Sequence, residues 1–344
     1  MTDICIVGEA WGEQEERARA PFVGAAGYEL TRMLDEAGIR RADCFLTNVF
    51  NLRPERNDIE TLCVPKTDPE AAKGLPPIKN GKYIRARYIG EVVRVLKEVG
   101  EVRPNVCIAL GNTAAWALLS NTGISRIRGT VTPGAGDLFS TKILPTYHPA
   151  AVLRDWSLRP VTVIDLAKAR RESLFPDIRR PKTWVYIEPS LADMEAFYAE
   201  HLANAPYISF DIETSGEQIT CIGFAPSTEI ALVVPFVDNR VVEPASQRGS
   251  YWKDLENERA AWEFVRRVLS LPCPKFGQNT LYDIHFLWRA YGLTVNNYAD
   301  DTMLMHHALQ PESNKGLGFL GSVYTDRSSW KTMRTKVLTI SKEK

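Results

Sequence analysis

The 344-residue chain has no run of about 18 apolar residues, and its first residues show no basic stretch followed by an apolar core. A membrane helix needs about 20 consecutive apolar residues, and a secretory signal needs that basic-then-apolar order. We therefore expect a protein of the cytoplasm that has no membrane partner.

The chain also lacks an excess of charge and any cysteine pair. Its 42 Lys and Arg residues balance 42 Asp and Glu residues, so bulk charge does not indicate a nucleic-acid partner. The six cysteines form no Cys-x-x-Cys spacing, and most lie in apolar runs where free cysteine acts as a small hydrophobe. We therefore expect the protein to work in a reducing compartment, where cysteines stay unpaired.

No internal repeat or low-complexity tract is present, and the length fits two ordinary domains. In the first, residues 1–175, apolar strands are predicted at 4–7, 44–48, 106–110 and 142–145. Helices are predicted after Ala25 and near 84–99. Alternating strands and helices indicate an α/β fold with a parallel sheet covered on both faces.

Residues 176–185 contain two prolines and no periodicity, which predicts a linker. A second α/β domain is predicted over 186–344. Its first strand at 207–210 is followed by antiparallel strands at 219–224 and 229–236. Helices are expected near 256–270 and from Thr280.

Four segments of the first domain carry polar residues at strand ends: Gly8-Glu9-Ala10-Trp11-Gly12 with Pro21-Phe22-Val23-Gly24, Leu46-Thr47-Asn48, Leu110-Gly111-Asn112, and Tyr147-His148-Pro149-Ala150. Glycines after a strand let backbone N–H groups approach a ligand. Alone, the first segment is only a weak sign of a phosphate or nucleotide site.

Together and in this order, the four segments resemble the uracil-DNA glycosylase superfamily, in particular its iron–sulfur (family-four) branch and related phage proteins. The likeness spans residues 3–175. It implies a three-layer αβα fold and hydrolytic excision of uracil from DNA, which needs no metal or other cofactor. For a phage-encoded chain, the cytoplasm would be that of the host.

The resemblance implies a uracil pocket. Backbone N–H groups of Glu9 and Ala10 would meet the departing base, and Phe22 would stack on its ring. The Asn48 carboxamide would pair with a carbonyl and the N–H of uracil, whereas cytosine presents the opposite polarity. Each of these residues, taken alone, has an ordinary structural interpretation as core or turn.

The resemblance also implies residues for catalysis and for holding DNA. Glu15 would stabilise positive charge on the sugar or orient the attacking water, and His148 would hydrogen-bond the oxygen that becomes anionic. Leu153 would wedge into the duplex and Arg154 would hold a phosphate. Arg128, which flanks the candidate loops in sequence, is a further candidate for phosphate contact.

The sequence departs from the iron–sulfur branch in several places. No Cys-x-x-Cys pair precedes the first strand, and Leu52 stands where that branch has a cysteine. We therefore expect no iron–sulfur cluster. Trp11 replaces a usual proline, and Ala10 has no side chain to activate water. A protein that binds uracil without excising it is the alternative.

Carboxylates form a second constellation, in the second domain. Asp211 and Glu213 lie two apart on a strand, so they share a face, and Asp283 follows near the start of a helix. Such hard oxygen ligands suit Mg²⁺ or Mn²⁺, which activate water in phosphodiester hydrolysis.

The strand-DIET motif with Asn-x-x-x-Asp about seventy residues later resembles the DEDD-type 3′–5′ exonucleases, an RNase H-like fold found ahead of family-A DNA polymerases. Asp301 is predicted as a helix N-cap rather than a ligand. The family's last metal-binding motif is not found after residue 305. We expect an incomplete domain that a partner chain completes, or one that binds DNA or docks on a family-A polymerase.

Overall fold

The computed structural model describes residues 2–238, 240 and 249–327. Contacts among the described residues divide the chain into two compact units: residues up to Arg180 together with those from Gly318 onward, and residues 181–317. The segment from Gly318 therefore packs with the first unit, although the sequence assigns it to the second domain. The basic tail at 331–344 lies outside the described residues.

The first unit is built from seven strands and seven helices before residue 180. The strands are β1 (Ile4–Ala10), β2 (Cys44–Phe50), β3 (Cys63–Val64), β4 (Tyr83–Ile84), β5 (Val106–Leu110), β6 (Thr132–Pro133) and β7 (Lys142–Thr146). The helices are α1 (Glu13–Ala18), α2 (Ala25–Glu36), α3 (Ile89–Val102), α4 (Gly111–Leu119), α5 (Ile124–Ile127), α6 (Pro149–Arg154) and α7 (Arg159–Glu172).

The sheet of this unit has the order β2-β1-β5-β7-β6, and all neighbours are parallel except β6. Successive residues of β1 enter opposite cores, because side chains alternate along a strand. Cys5 and Val7 pack in the core that contains the buried valines of α3. Ile4 and Ile6 pack in the core that contains Leu30 of α2. The predicted three-layer fold is confirmed.

Helix α3 begins later than its sequence pattern indicates. Val92, Val95 and Val99 form its buried face with helical spacing. Residues 83–84 instead form β4, which pairs with β3 in a small antiparallel ribbon. The apolar residue at 84 therefore contributes to a strand, and the helix starts five residues downstream.

In the described residues, the second unit contains eight strands and four α-helices. The strands are β8 (Trp184–Tyr186), β9 (Ile208–Ser215), β10 (Gln218–Ala225), β11 (Ile230–Pro235), β12 (Val237–Asp238), β13 (Gly249–Ser250), β14 (Lys275–Gly277) and β15 (Tyr298–Asp301). The helices are α8 (Leu191–Phe197), α9 (Leu255–Ser270), α10 (Thr280–Tyr291) and α11 (Thr302–Leu309). A last helix, α12 (Leu317–Tyr324), leads back into the first unit.

The main sheet of the second unit is mixed, in the order β15-β14-β9-β10-β11-β8. Strand β10 runs antiparallel to both β9 and β11, as predicted, and β14 runs parallel to β9. Strand β8 falls at the end of the predicted linker, where it pairs with β11. Proline is tolerated at the edge of a sheet, so the nearby prolines do not prevent residues 184–186 from pairing with β11.

Helix α12 is held by a buried lysine of α7. The Lys168 ammonium donates to the carbonyl oxygens of Gly129 (2.9 Å), Ser322 (2.9 Å) and Thr325 (2.8 Å). Two of these acceptors lie at the carboxyl end of α12, where helix carbonyls have no partner within the helix. Lys168 thus caps the carboxyl end of α12 and links that helix to α7.

Arg128 lies beside this lysine and is also buried, with 1% of its surface exposed. Its guanidinium forms a two-point ion pair with Asp165, donates to Ser322 Oγ (2.8 Å) and lies over the ring of Phe319. The expectation that Arg128 contacts DNA phosphate is therefore wrong, because its donors are used inside the protein.

In the part of the chain that the structure describes, no helix is both long and apolar enough to cross a bilayer.

We expect Lys168→Met to lower the free energy of unfolding by about 2–3 kcal/mol, since it leaves buried carbonyl oxygens without a donor. Urea unfolding followed by circular dichroism measures the loss. The matched control is Lys97→Met on α3, whose side chain is 73% exposed, and which should change stability by less than about 0.5 kcal/mol. Equal losses in the two variants would contradict the capping role.

Candidate active site

A cleft of about 470 Å³ lies at the carboxyl ends of the parallel strands of the first unit. Ligands of open α/β sheets bind at this edge, and the volume is in the usual range for a small-molecule site. The cleft brings together all six residues predicted for uracil binding and catalysis, together with Arg154: Glu9, Ala10, Glu15, Phe22, Asn48 and His148.

Gly8 of β1 makes room for the centre of this cleft. It lies directly beside Asn48 of β2 in the register of the two strands. A Cβ atom at residue 8 would lie 2.2 Å from Asn48 Oδ1 and 2.5 Å from Phe22 Cζ. The missing side chain therefore allows the carboxamide and the aromatic ring to meet over the strand end.

Phe22 is held in a backbone conformation that few L residues adopt, with φ of +54°. Its carbonyl accepts a hydrogen bond from Arg41 Nη2 (2.8 Å), and a Cβ atom at Gly27 would lie 1.8 Å from that carbonyl oxygen. The ring is 5% exposed and its centroid is 6.2 Å from that of His148, with 31° between the planes. Sequence patterns gave no sign of the Arg41 clamp.

Asn48 presents an unpaired carboxamide. The residue is 2% exposed, yet no described residue hydrogen-bonds its side chain. Its backbone carbonyl accepts from Arg94 Nη2 (2.8 Å), and Glu91 and Glu98 hold that guanidinium. The backbone of Asn48 is thus fixed from behind, while its carboxamide is open on the cleft side and free to bind a ligand.

His148 is the N-cap of α6, and its Nδ1 atom accepts a hydrogen bond from the Ala150 N–H (3.1 Å). The proton of the neutral imidazole must then reside on Nε2. Burial lowers the pKa of His148, while the negative charge of Glu9 opposes this shift. The ring is therefore a neutral donor at pH 7. Gly111, with φ of +83°, leaves space beside it.

Two carboxylates line the cleft, and each is fixed by hydrogen bonds. Glu15 accepts from the N–H groups of Gly24 (2.7 Å) and Gly12 (3.2 Å), which begin α2 and α1. Glu9 accepts from Thr113 Oγ1 (2.5 Å). The sequence assigned only the backbone of Glu9, whereas the structure places its carboxylate in the cleft. Thr113, the third residue of α4, was missed by the sequence analysis.

The groups predicted to hold DNA are distributed unevenly. Arg154 lines the cleft, and Leu153 beside it is 47% exposed. Arg159, a further arginine near the candidate loops, pairs with Glu29 (2.8 Å) and Glu36 (2.7 Å). Of the basic residues that surround the motifs in sequence, Arg154 is therefore the one that faces the cleft.

In the second unit, Asp211 and Glu213 lie on one face of β9, opposite the face that carries the buried Ile208, Phe210 and Ile212. Asp283 Oδ1 accepts a hydrogen bond from the Ile212 N–H (2.9 Å). Burial raises the pKa of Asp283 to about 6, and the negative charge of Asp211 adds to this effect.

Asp301 is the N-cap of α11, as predicted. Its carboxylate accepts from the N–H groups of Asn279, Thr280 and Met303 at 2.7–3.0 Å. Within residues 2–238, 240 and 249–327, no group of three or more His, Cys, Asp or Glu is placed to hold a metal ion. We assign no metal ion and no metal-dependent reaction step to Asp211, Glu213 and Asp283. The expected absence of an iron–sulfur cluster stays a prediction.

Two family models match the chain: the uracil DNA glycosylase superfamily over residues 1–172 and a 3′-5′ exonuclease family over 186–338. A type-4 uracil-DNA glycosylase of Thermotoga maritima is 33% identical over 173 residues, which are 49% of this chain and 77% of the relative. A type-4 uracil-DNA glycosylase of Archaeoglobus fulgidus is 36% identical over 171 residues, which are 48% of this chain and 74% of the relative.

Among solved structures, Brucella melitensis NrnC with bound Mg²⁺ is similar over 44% of this chain, at 14% identity and a TM-score of 0.28. The match covers 64% of that chain, so this chain spans less than two thirds of its length.

We expect the imidazole of His148 to titrate below pH 6.5, the ordinary value for histidine, because burial disfavours its charged form. Glu9→Gln should move the midpoint lower still, since the Glu9 carboxylate stabilises the imidazolium. NMR titration of the ring carbon and nitrogen signals measures both values. Glu13→Gln, which removes an exposed carboxylate paired with Arg17, is the control and should leave the midpoint unchanged. A rise in the Glu9 variant would contradict the geometry.

We expect Asp283 to titrate near pH 6 and Asp211→Asn to lower that pKa, because a negative neighbour is removed. Carboxyl ¹³C NMR follows the titration, with Glu217→Gln in an exposed turn as the control. Millimolar Mg²⁺ should leave the wild-type midpoint near 6. A fall of the Asp283 pKa on adding Mg²⁺ would show that the site does hold the cation.

Proposed function

Because the chain belongs to the uracil DNA glycosylase superfamily through residues 1–172, we propose that its first unit hydrolyses the bond between uracil and deoxyribose in DNA. The observation that carries this proposal is the position of the Asn48 carboxamide, which lines the cleft and is held there through its own backbone carbonyl. That carboxamide faces the same cleft as the ring of Phe22 and the neutral imidazole of His148.

Base recognition follows from the chemistry of Asn48. Its carboxamide offers one donor and one acceptor, which match a carbonyl and the N–H of uracil. Cytosine presents the reverse pattern at that edge and would leave buried polar groups unpaired. The base must leave the helix to reach the cleft, where Phe22 provides a surface for stacking.

The departing base carries negative charge, which the cleft neutralises with donors that are already in place. The Nε2 proton of His148 is available because Nδ1 is occupied by the Ala150 N–H. Backbone N–H groups of Glu9 and Ala10 lie at the same edge, at the end of β1. Donors fixed before the reaction need no reorganisation as charge develops, and such donors are worth about 10²–10³ in kcat.

The sugar develops positive charge as the base leaves, and the two fixed carboxylates of Glu9 and Glu15 supply the opposite charge. Glu15 is clamped by the glycine N–H groups that begin α1 and α2, so it also sets the shape of the cleft. Either carboxylate can orient the attacking water. Leu153 wedges into the duplex and Arg154 holds a phosphate in this proposal.

For the second unit, which matches a 3′-5′ exonuclease family, we propose a non-cutting role. In this proposal the unit binds DNA or docks on a family-A DNA polymerase chain. A 3′-mismatched strand should then keep its length in the presence of Mg²⁺. Shortening that Asp211→Ala abolishes would instead support an exonuclease.

The test of the main proposal is release of free uracil from a uracil-containing oligonucleotide in EDTA. We expect wild-type protein to release uracil, and Asn48→Asp or His148→Ala to lower kcat by about 10²-fold or more. Asn121→Asp and His307→Ala, both at exposed positions, are the matched controls and should retain the wild-type rate.

Two results would contradict the proposal in different ways. Turnover that persists in both site variants would place the reaction elsewhere in the protein. Tight binding of the uracil strand without release of base would support the alternative, a uracil-recognition module that does not cut.

A further inference from the structure

Trp156 is an exposed aromatic residue near the mouth of the cleft. Its surface is 57% exposed, and it follows Arg154, which lines the cleft, by two residues. Two residues span at most about 7 Å of chain, so the backbone of Trp156 lies within that distance of Arg154. Leu153, three residues before Trp156, is 47% exposed, so this segment presents two apolar side chains beside the cleft.

The turn that carries Trp156 is fixed rather than loose. Asp155 accepts hydrogen bonds from the N–H of Ser157 (3.1 Å) and from its hydroxyl (2.6 Å). Helix α7 begins at Arg159, three residues after Trp156. The indole is therefore presented in a defined position before any ligand arrives, which lowers the entropy lost on binding.

One side of the indole is covered by a cation. The guanidinium of Arg159 lies 5.1 Å from the ring centroid, and Glu29 (2.8 Å) and Glu36 (2.7 Å) hold it there. With the guanidinium on one face, the exposed surface belongs mainly to the rest of the ring. A base can stack on an indole that is supported on one face and exposed on the other.

We propose that Trp156 stacks on the base of a nucleotide next to the extruded uracil in the same strand. The inference rests on the proposed function, since it concerns the strand that enters the same cleft. A nucleobase is the ligand favoured by the flat open ring, and Arg154 supplies the charge that attracts the phosphate between the two nucleotides. A neighbouring base can stack this way only when it is unpaired, so Trp156 favours single-stranded substrate.

The first test compares kinetics on single-stranded oligonucleotides that contain one uracil. Trp156→Ala should raise KM about 10-fold and leave kcat within about 2-fold, because stacking on a neighbour holds the substrate without touching the reacting bond. Trp156→Phe should recover most of the loss and shows that the variant site remains folded. Trp184→Ala, which removes an exposed tryptophan of the second unit, should behave like wild type.

The second test removes the partner base instead of the indole. An abasic site placed on the 5′ or the 3′ side of uracil should raise the KM of wild-type protein about as much as Trp156→Ala does, on one of the two sides. Trp156→Ala should then lose little more on that strand, because both changes remove the same contact. Losses that multiply on both strands, or an unchanged KM in Trp156→Ala, would overturn the proposal.

Failure of the proposed function gives a different result. If wild-type protein releases no uracil, fluorescence anisotropy with the same strands replaces the kinetic readout. Trp156→Ala should bind the intact strand more weakly than wild type does. If an abasic site beside uracil removes this difference between the two proteins, the result still supports stacking. Equal binding by wild type and Trp156→Ala would reject it.

Discussion

The absence of a side chain at Gly8 is the constraint on which the cleft depends. This glycine lies two residues before the end of β1, directly beside Asn48 of β2. Any Cβ atom there would overlap both Asn48 and Phe22. The space beside Gly8, which a side chain at that position would fill, is instead occupied by the Asn48 carboxamide and the Phe22 ring.

Charged residues around the cleft mainly hold backbone in place. Arg41 fixes the carbonyl of Phe22, Arg94 fixes the carbonyl of Asn48, and Glu15 fixes two helix starts. Each pairs a charge with backbone dipoles, which gives stronger hydrogen bonds than neutral groups provide. These charged residues position the backbone of Phe22 and Asn48, whose side chains face the cleft.

The resemblance to uracil-DNA glycosylases implied one pocket for Phe22, Asn48 and His148, and the structure places all three along one cleft. The sequence also predicted the N-cap role of Asp301, which depends on neighbours two residues away. It failed for Arg128, whose partner Asp165 lies 37 residues further along the chain. Local patterns do not reveal such distant pairs, nor the carbonyl oxygens that Lys168 meets more than 150 residues away.

The return of the chain into the first unit has a consequence for how the two units could ever be separated. The polypeptide crosses from one unit to the other twice, near residue 180 and near residue 317. A fragment ending at the first crossing would expose the Lys168 ammonium to water and remove two of its three acceptors. The match to the 3′-5′ exonuclease family continues past the second crossing, so a segment that belongs to that family in sequence completes the packing around Lys168.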